Sequence, residues 1–343
     1  MNETIMTAGA RTAPAAPLRI GRLGRGDLDA VVAIDRALSG RTRYGFFARR
    51  LDHAARDPAA FVALAAACDG RFAGFILARI CEGEFGAASR EASLDAIGVD
   101  RAPGRPHGVG RALIDNLAAE LRARGIGELA TQVAWTDHGL LGFFARTGFE
   151  LAPRIVLERA ACEPLPDGRV PLVRAGGDSA EIDYGRAPDD DFQSLAHDRL
   201  PVRSMTRNDL DAVVEIDRRI TGRSRAAYYT RKLDEAFGES AVQMSLVAER
   251  DGLPAGFVMA RVDSGEFGHT EPEAVMDTIG VDPRHSHKGV ATALLSQLVA
   301  NLGALRTETL RTEVGWNQFG LLRFLERMGF RPHRRLALRL GLG

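Results

Sequence analysis

The stretch Asp27–Arg43, DLDAVVAIDRALSGRTR, returns at Asp209–Arg225 as DLDAVVEIDRRITGRSR, 182 residues further on. Working outward, the same offset joins GFILARICEGEFG from Gly74 to GFVMARVDSGEFG from Gly256, and LDAIGVD from Leu94 to MDTIGVD from Met276. It shortens by one only in the next loop, after which Trp135 answers Trp316 and Gly148-Phe149 answers Gly329-Phe330. A period this long exceeds any solenoid repeat, so each copy is expected to be a domain. The expected boundaries are an unstructured tail at 1–17, a first domain at 18–160, a linker at 161–199 rich in Gly, Pro and Asp, and a second domain at 200–343.

The bulk numbers agree. The chain has 343 residues, about two domains' worth, with 45% hydrophobic and 26% charged residues. Such a composition excludes collagen-like, coiled-coil and wholly disordered chains. Lys+Arg and Asp+Glu number 45 each, so no net field draws in nucleic acid or an anionic membrane, and neither is an expected partner. Cys68, Cys81 and Cys162 are odd in number and widely spaced, which predicts neither a disulfide framework nor a zinc site and fits a reducing cytoplasm. The N-terminus lacks a basic stretch followed by an apolar one, and no run approaches 18 apolar residues, so secretion and membrane spanning are not expected.

Within each copy the periodicity predicts β-α-α-β-β-β-α-β-α-β, with Asp69-Gly70 and Asp251-Gly252 as hairpin turns. The strongest local signal follows the fourth strand. It ends IGVD and leads into RPHGVG (Arg105–Gly110) or SHKGVA (Ser286–Ala291), which opens a helix. Glycine there lets backbone N–H groups approach an anion, and the helix start adds its positive end, an arrangement suited to a pyrophosphate. The plainer alternative is a tight strand-to-helix turn. The pattern is neither a dinucleotide-binding GxGxxG nor a P-loop.

The element order, the [Q/R]xxGx[G/A] loop and the terminal GF resemble the Gcn5-related N-acetyltransferase (GNAT) family, in tandem. The resemblance covers both copies and leaves out the tail and linker. It implies an α/β (α+β) fold of two domains, each with a central mixed, largely antiparallel sheet, splayed fourth and fifth strands and flanking helices. It further implies acetyl-CoA as co-substrate, with no metal. The phosphates would lie on Arg105, His107, Gly108, Val109 and Gly110, and on His287, Lys288, Gly289, Val290 and Ala291. The pantetheine arm would run along Ile97, Gly98 and Val99, and along Ile279, Gly280 and Val281. The first copy departs from the family pattern by one extra loop residue and by lacking a proline after Asp100. The second has Pro283 and the usual length but Ser286 where Gln or Arg is expected.

Acetyl transfer to an amine needs a base, because a protonated amine has no lone pair. Asp95 and Asp277 occupy the position where the family often carries a carboxylate, and period-two alternation puts them on the face of Val99 and Val281. The alternative is a structural carboxylate satisfied by a neighbouring loop. Glu313 on the fifth strand, opposite Gln132 in the first copy, is a further base candidate in the second copy alone. The family's acid, a tyrosine four residues before the GF glycine, is Phe144 in one copy and Leu325 in the other, leaving Tyr228 or Tyr229 as substitutes. Glu84 and Glu266 in GEFG are candidates to hold a cationic acceptor, or are solvated loop carboxylates. Arg41, Arg43, Arg223 and Arg225 of GRTR and GRSR are expected to face an acidic acceptor, the other copy or, as is commonest, solvent, and Trp135 and Trp316 are expected in the core.

The expected function is N-acetyl transfer to an amine-bearing small molecule or a protein lysine or N-terminus, by direct attack. The alternative is an acyl-CoA-binding regulatory or scaffold protein with one or both copies catalytically degenerate.

Overall fold

The computed structural model describes residues 17–82, 90–102, 107–163, 165, 200–238, 243–263, 267, 273–305 and 307–343. Nearly all of the expected tail and linker, and with them Glu84, Arg105 and Glu266, lie outside the described residues. The chain forms two compact units, one of residues up to 78 with 96–120, the other of 79–95 with 121–343.

In the smaller unit β1 (Arg19–Arg22) runs antiparallel to β2 (Phe61–Cys68), and the strand order is β1-β2-β3-β4, with β3 at Arg71–Glu82 and β4 at Arg90–Val99. The β2–β3 turn has positive φ at both Asp69 (52°) and Gly70 (71°), as a two-residue hairpin requires. Helices α1 (Leu28–Ser39) and α2 (Tyr44–Arg56) put Val31, Ile34, Phe46, Phe47 and Leu51 against Phe75 and Leu77 of β3. Helix α3 (Val109–Ala123) follows the glycine loop.

The larger unit carries β4 onward in the order β4-β5-β14-β6, and a complete second sheet in the order β13-β7-β12-β11-β10-β9-β8. The first set comprises β5 (Glu128–Ala134), α4 (His138–Arg146), β6 (Glu150–Leu151) and β7 (Arg154–Ala160). The second copy then supplies β8 (Val202–Ser204), α5 (Leu210–Thr221), α6 (Ala226–Gly238), β9 (Gln243–Arg250), β10 (Leu253–Asp263) and β11 (Glu273–Val281). Helix α7 (Val290–Ala304), β12 (Thr309–Gly315), α8 (Phe319–Arg327), β13 (Arg331–Pro332) and β14 (Arg335–Gly341) complete it. Alternation sorts the hairpin arms onto two faces: Leu246, Ala248, Val258 and Ala260 pack with α7, whereas Val247, Phe257 and Met259 pack with α5 and α6.

The closing strands do what periodicity does not announce. β14 pairs antiparallel with β5 from Arg335↔Ala134 to Gly341↔Glu128, and β7 pairs with β12 from Arg154↔Gly315 to Ala160↔Thr309. Each copy thus lends its last strand to the other copy's sheet, where it sits between the fifth strand and the short strand after α4 or α8. Leu157 of β7 is accordingly buried in the core of the second sheet. The chain crosses over at Ala152-Pro153 and at His333-Arg334, and these corners hold on to the neighbouring sheet: Trp316 N–H donates to Pro153 and Trp135 N–H to Arg334. The two tryptophans themselves are 55% and 58% exposed, not in the core, because each stands at the end of its strand.

β11 and β12 are parallel neighbours over only Ala274↔Leu310 and Val275↔Arg311, and β4 and β5 over only Ala92↔Leu129 and Ser93↔Ala130. Beyond those pairs the strands diverge, as a splayed pair must. A second irregularity lies beside the opening: Met259 faces Thr278 but Ala260 faces Met276, so Asp277 is the extra residue of a β-bulge.

Candidate functional site

The bulge decides where the second-copy aspartate points. Ala274 and Met276 belong to the α7 core and Ile279 and Val281 pack on the same core, so the alternation slips by one residue at 277. Asp277 therefore leaves the face of Val281 and turns to α6, where Lys232 Nζ donates to its Oδ2 at 2.7 Å and Arg261 Nε lies 3.3 Å away. It is 7% exposed. Burial pushes its pKa up, but Arg261, Lys232 and Arg79 together outweigh that and hold it below the ordinary carboxylate value. Asp95, 1% exposed, accepts from Arg79 Nε and Ser93 Oγ, both at 3.4 Å. Held low by three cations, the Asp277 carboxylate takes up a proton less readily than an ordinary one.

Glu313 is a carboxylate of the opposite kind. It accepts a 2.5 Å hydrogen bond from Gln132 Nε2 and lies 3.6 Å from Arg154, and burial raises its pKa above the usual value despite that guanidinium. Gln132 also receives Arg311 Nη1 at 2.6 Å on its other amide atom, fixing its orientation. The strand exchange makes this cluster possible, since Arg154 begins β7, antiparallel to β12, and Glu313 belongs to β12.

Beside the end of β11, where it has diverged from β12, lies a cavity of about 430 Å³. Thr278, Ile279 and Gly280 line one side and the segment 317–321 the other, with Asp217, Thr221 and Arg225 at the helix end. Gly280 is required there, because a Cβ would stand 2.7 Å from the Phe257 ring. Arg225 is buried against Asp217, whose Oδ1 also accepts the Tyr229 hydroxyl at 2.9 Å. The first copy repeats the pair as Arg43 and Asp35 but has Phe47 in place of Tyr229. Arg41 and Arg223 are exposed, whereas Arg43 and Arg225 are thus inside. The signal that could have found them is an aspartate on the apolar stripe of each first helix, eight residues before the arginine. Tyr229 is fully buried and its pKa is raised, chiefly by burial, so it keeps its proton throughout the neutral range.

At the other expected site, α7 starts from Gly289, whose φ of 79° is left-handed, after a one-turn helix capped by Asp282. His287, Lys288 and Gly289 are exposed while Val290 is buried and Ala291 half-buried. The N–H groups of Val290 and Ala291 have no acceptor among the described residues, as at any helix start. Asp282 accepts from Arg284 and Arg219, which hold its pKa low against burial. In the first copy His107 and Gly108 (φ 80°) are exposed, Val109 and Gly110 are buried, and Ile97, Gly98 and Val99 end β4. No group of three or more His, Cys, Asp or Glu side chains that could hold a metal occurs among the described residues, and none of their helices is long and apolar enough to cross a membrane.

The model of the acetyltransferase (GNAT) family matches residues 33–149 and again 210–330, and the chain belongs to that family. Among solved structures it is similar to a tandem GNAT protein from the clavulanic acid biosynthesis pathway, at 19% identity and a TM-score of 0.62, over 95% of this chain and 99% of that one. It is also similar to a GCN5-related N-acetyltransferase from Sphaerobacter thermophilus, at 15% identity and a TM-score of 0.56, over 95% and 97%. A putative acetyltransferase from Pyrococcus horikoshii matches at 17% identity and a TM-score of 0.51, over 98% and 93%. No curated protein sequence matches significantly. At these identities the structural likeness concerns the fold: two GNAT-type α/β domains with mixed sheets and flanking helices.

Proposed function

We propose that the chain is an acetyl-CoA-dependent N-acetyltransferase and that transfer takes place in the second copy. The observation that carries this reading is the divergence of β11 from β12 beyond Val275↔Arg311, beside a cavity lined by Ile279 and Gly280, in a chain of the GNAT family. The pantetheine arm lies along Ile279–Val281, and the pyrophosphate meets the helix start at His287–Ala291, where free N–H groups and the helix dipole favour an anion.

The amine nitrogen attacks the thioester carbon directly, the C–S bond breaks, and the thiolate leaves. The surplus amine proton passes to Glu313. A carboxylate whose pKa is raised by burial holds a proton better than one held low by neighbouring cations, which favours Glu313 over Asp277. The aspartates instead fix Arg79, Arg261 and Lys232. With Phe144 and Leu325 at the family's acid position and Tyr229 locked onto Asp217, the thiolate departs without an acid, which a thiol of pKa near 8.5 permits. Incubation with acetyl-CoA and an amine panel, following free thiol, tests the reading. Acceptor-dependent thiol release supports it, and tight acetyl-CoA binding without release for any amine supports a sensor or scaffold instead.

A further inference from the structure

The polar and the apolar groups around the cavity beside the end of β11 are in opposite states. The ionised side chains among its described lining residues, Asp217 and Arg225, are paired with each other: Arg225 Nε donates to Asp217 Oδ2 at 2.8 Å, and the Tyr229 hydroxyl donates to Oδ1 at 2.9 Å. Thr221 Oγ1 donates to the Asp217 carbonyl at 2.9 Å, and Thr278 hydrogen-bonds the Tyr229 hydroxyl. A charged ligand group would thus compete with a buried pair for its partner. The large apolar side chains stand open instead. Ile220 is 48% and Phe319 77% exposed, although both line this one cavity. Ile220 reaches Gly280, where an added Cβ would lie 3.3 Å from its Cδ1. The first copy has Leu38, 42% exposed, in the place of Ile220 but His138 in that of Phe319, so at this position the second copy alone carries a phenyl ring.

Exposed apolar surface lining a cavity gains from an apolar ligand that covers it, whereas a second charge on that ligand would lose its hydration without a partner in return. We infer that the acceptor is a monoamine with an apolar, best an aromatic, body held against Ile220 and Phe319, and that Phe319 sets this preference. Asn317 and Gln318 line this cavity and also a neighbouring one whose wall includes Glu313, so an amine at the shared wall is directed toward the proposed base. The assignment rests on the transfer reading above for the amine's fate. The apolar match does not depend on it. A polyamine or an acidic amino acid is disfavoured, because its further charge would meet Asp217 and Arg225 already bound to each other.

Acceptor choice is tested with phenethylamine and hexylamine against spermidine, L-lysine and L-glutamate. In the unaltered protein kcat/KM for phenethylamine should exceed that for each of the last three by about 10-fold or more. Phe319→Ser should raise the KM for phenethylamine about 10-fold or more, with kcat and the KM for acetyl-CoA within about 3-fold, and Phe319→Leu should keep most of the affinity. Because Phe319 is exposed, neither variant puts the core at risk. Titration calorimetry with phenethylamine, with and without CoA, repeats the comparison in the absence of turnover. Preference for spermidine, lysine or glutamate, or a Phe319→Ser effect on acetyl-CoA rather than on the amine, overturns the acceptor class while leaving the transferase reading intact. Phenethylamine binding that Phe319→Ser weakens, with no thiol release for any amine, overturns the transferase reading and leaves the cavity assignment standing.

Discussion

Two carboxylates on adjacent strands show how surroundings divide the work between residues. Asp277 is held low in pKa by Arg261, Lys232 and Arg79, so its stabilising contribution is present above the ordinary carboxylate value and is lost as pH falls through its lowered one. Asp277→Asn leaves two buried cations without their carboxylate and is expected to cost about 3–5 kcal/mol, read as a lower thermal midpoint. Glu313 has the reverse sign: its raised pKa means the folded chain binds that proton more tightly, so its contribution diminishes as pH rises from the ordinary value through the raised one. Glu313→Gln should therefore keep or raise the midpoint at neutral pH while lowering kcat about 10²-fold or more. The pH profile of kcat/KM should rise through an acidic limb that this variant lacks, with no alkaline fall from a tyrosine. A lower midpoint with full turnover in Glu313→Gln would reverse the assignment. From sequence both carboxylates are candidates, with Asp277 ahead of Glu313, but their surroundings are not legible, because the partners Lys232, Arg261 and Arg154 lie far from them along the chain.

Among the elements, the strands and helices were legible from periodicity and from Asp-Gly turns, since those signals act over a few residues. Two features were not. The bulge at Asp277 reverses the side to which a period-two reading assigns the residue, and a single inserted position leaves no mark in a strand whose both faces are covered. The exchange of β7 and β14 hides because a closing strand reads identically whichever sheet accepts it. It has a consequence for the crossover at His333, whose Nδ1 accepts from Arg335 N–H at 3.1 Å. Burial, with Arg311, Arg335 and Arg334 nearby, lowers its pKa to about 4. Neutral His333 thus supports the corner above the ordinary histidine value, and that support is lost as pH falls from about 6.5 toward 4. His333→Gln should flatten the stability profile over that window, measured by denaturant melts at several pH values. Residues 18–160 and 200–343 expressed apart should each lack a strand for their sheet, and mixing them should restore a 1:1 complex on size-exclusion chromatography. Folded monomers of either piece would contradict the exchange.

Over the whole molecule, the repeat gives one fold twice with two unequal sets of candidate site residues. The repeat, the family loop and the two-domain architecture could be read from the sequence because they are written twice. The inequality is spread over single replacements: Phe47 for Tyr229 and Gln132 for Glu313. Each looks conservative until the structure shows it beside an opening or a buried cluster. Acetyl-CoA is expected to be used in the second copy, and titration calorimetry on Gly289→Trp and Gly108→Trp distinguishes the two copies. Both glycines have left-handed φ and open space around them, so the two substitutions carry similar backbone strain and differ only in which opening they obstruct. Gly289→Trp should weaken acetyl-CoA binding at least 10-fold and abolish turnover, while Gly108→Trp keeps turnover. Unchanged acetyl-CoA affinity and turnover in Gly289→Trp would contradict use of the second copy.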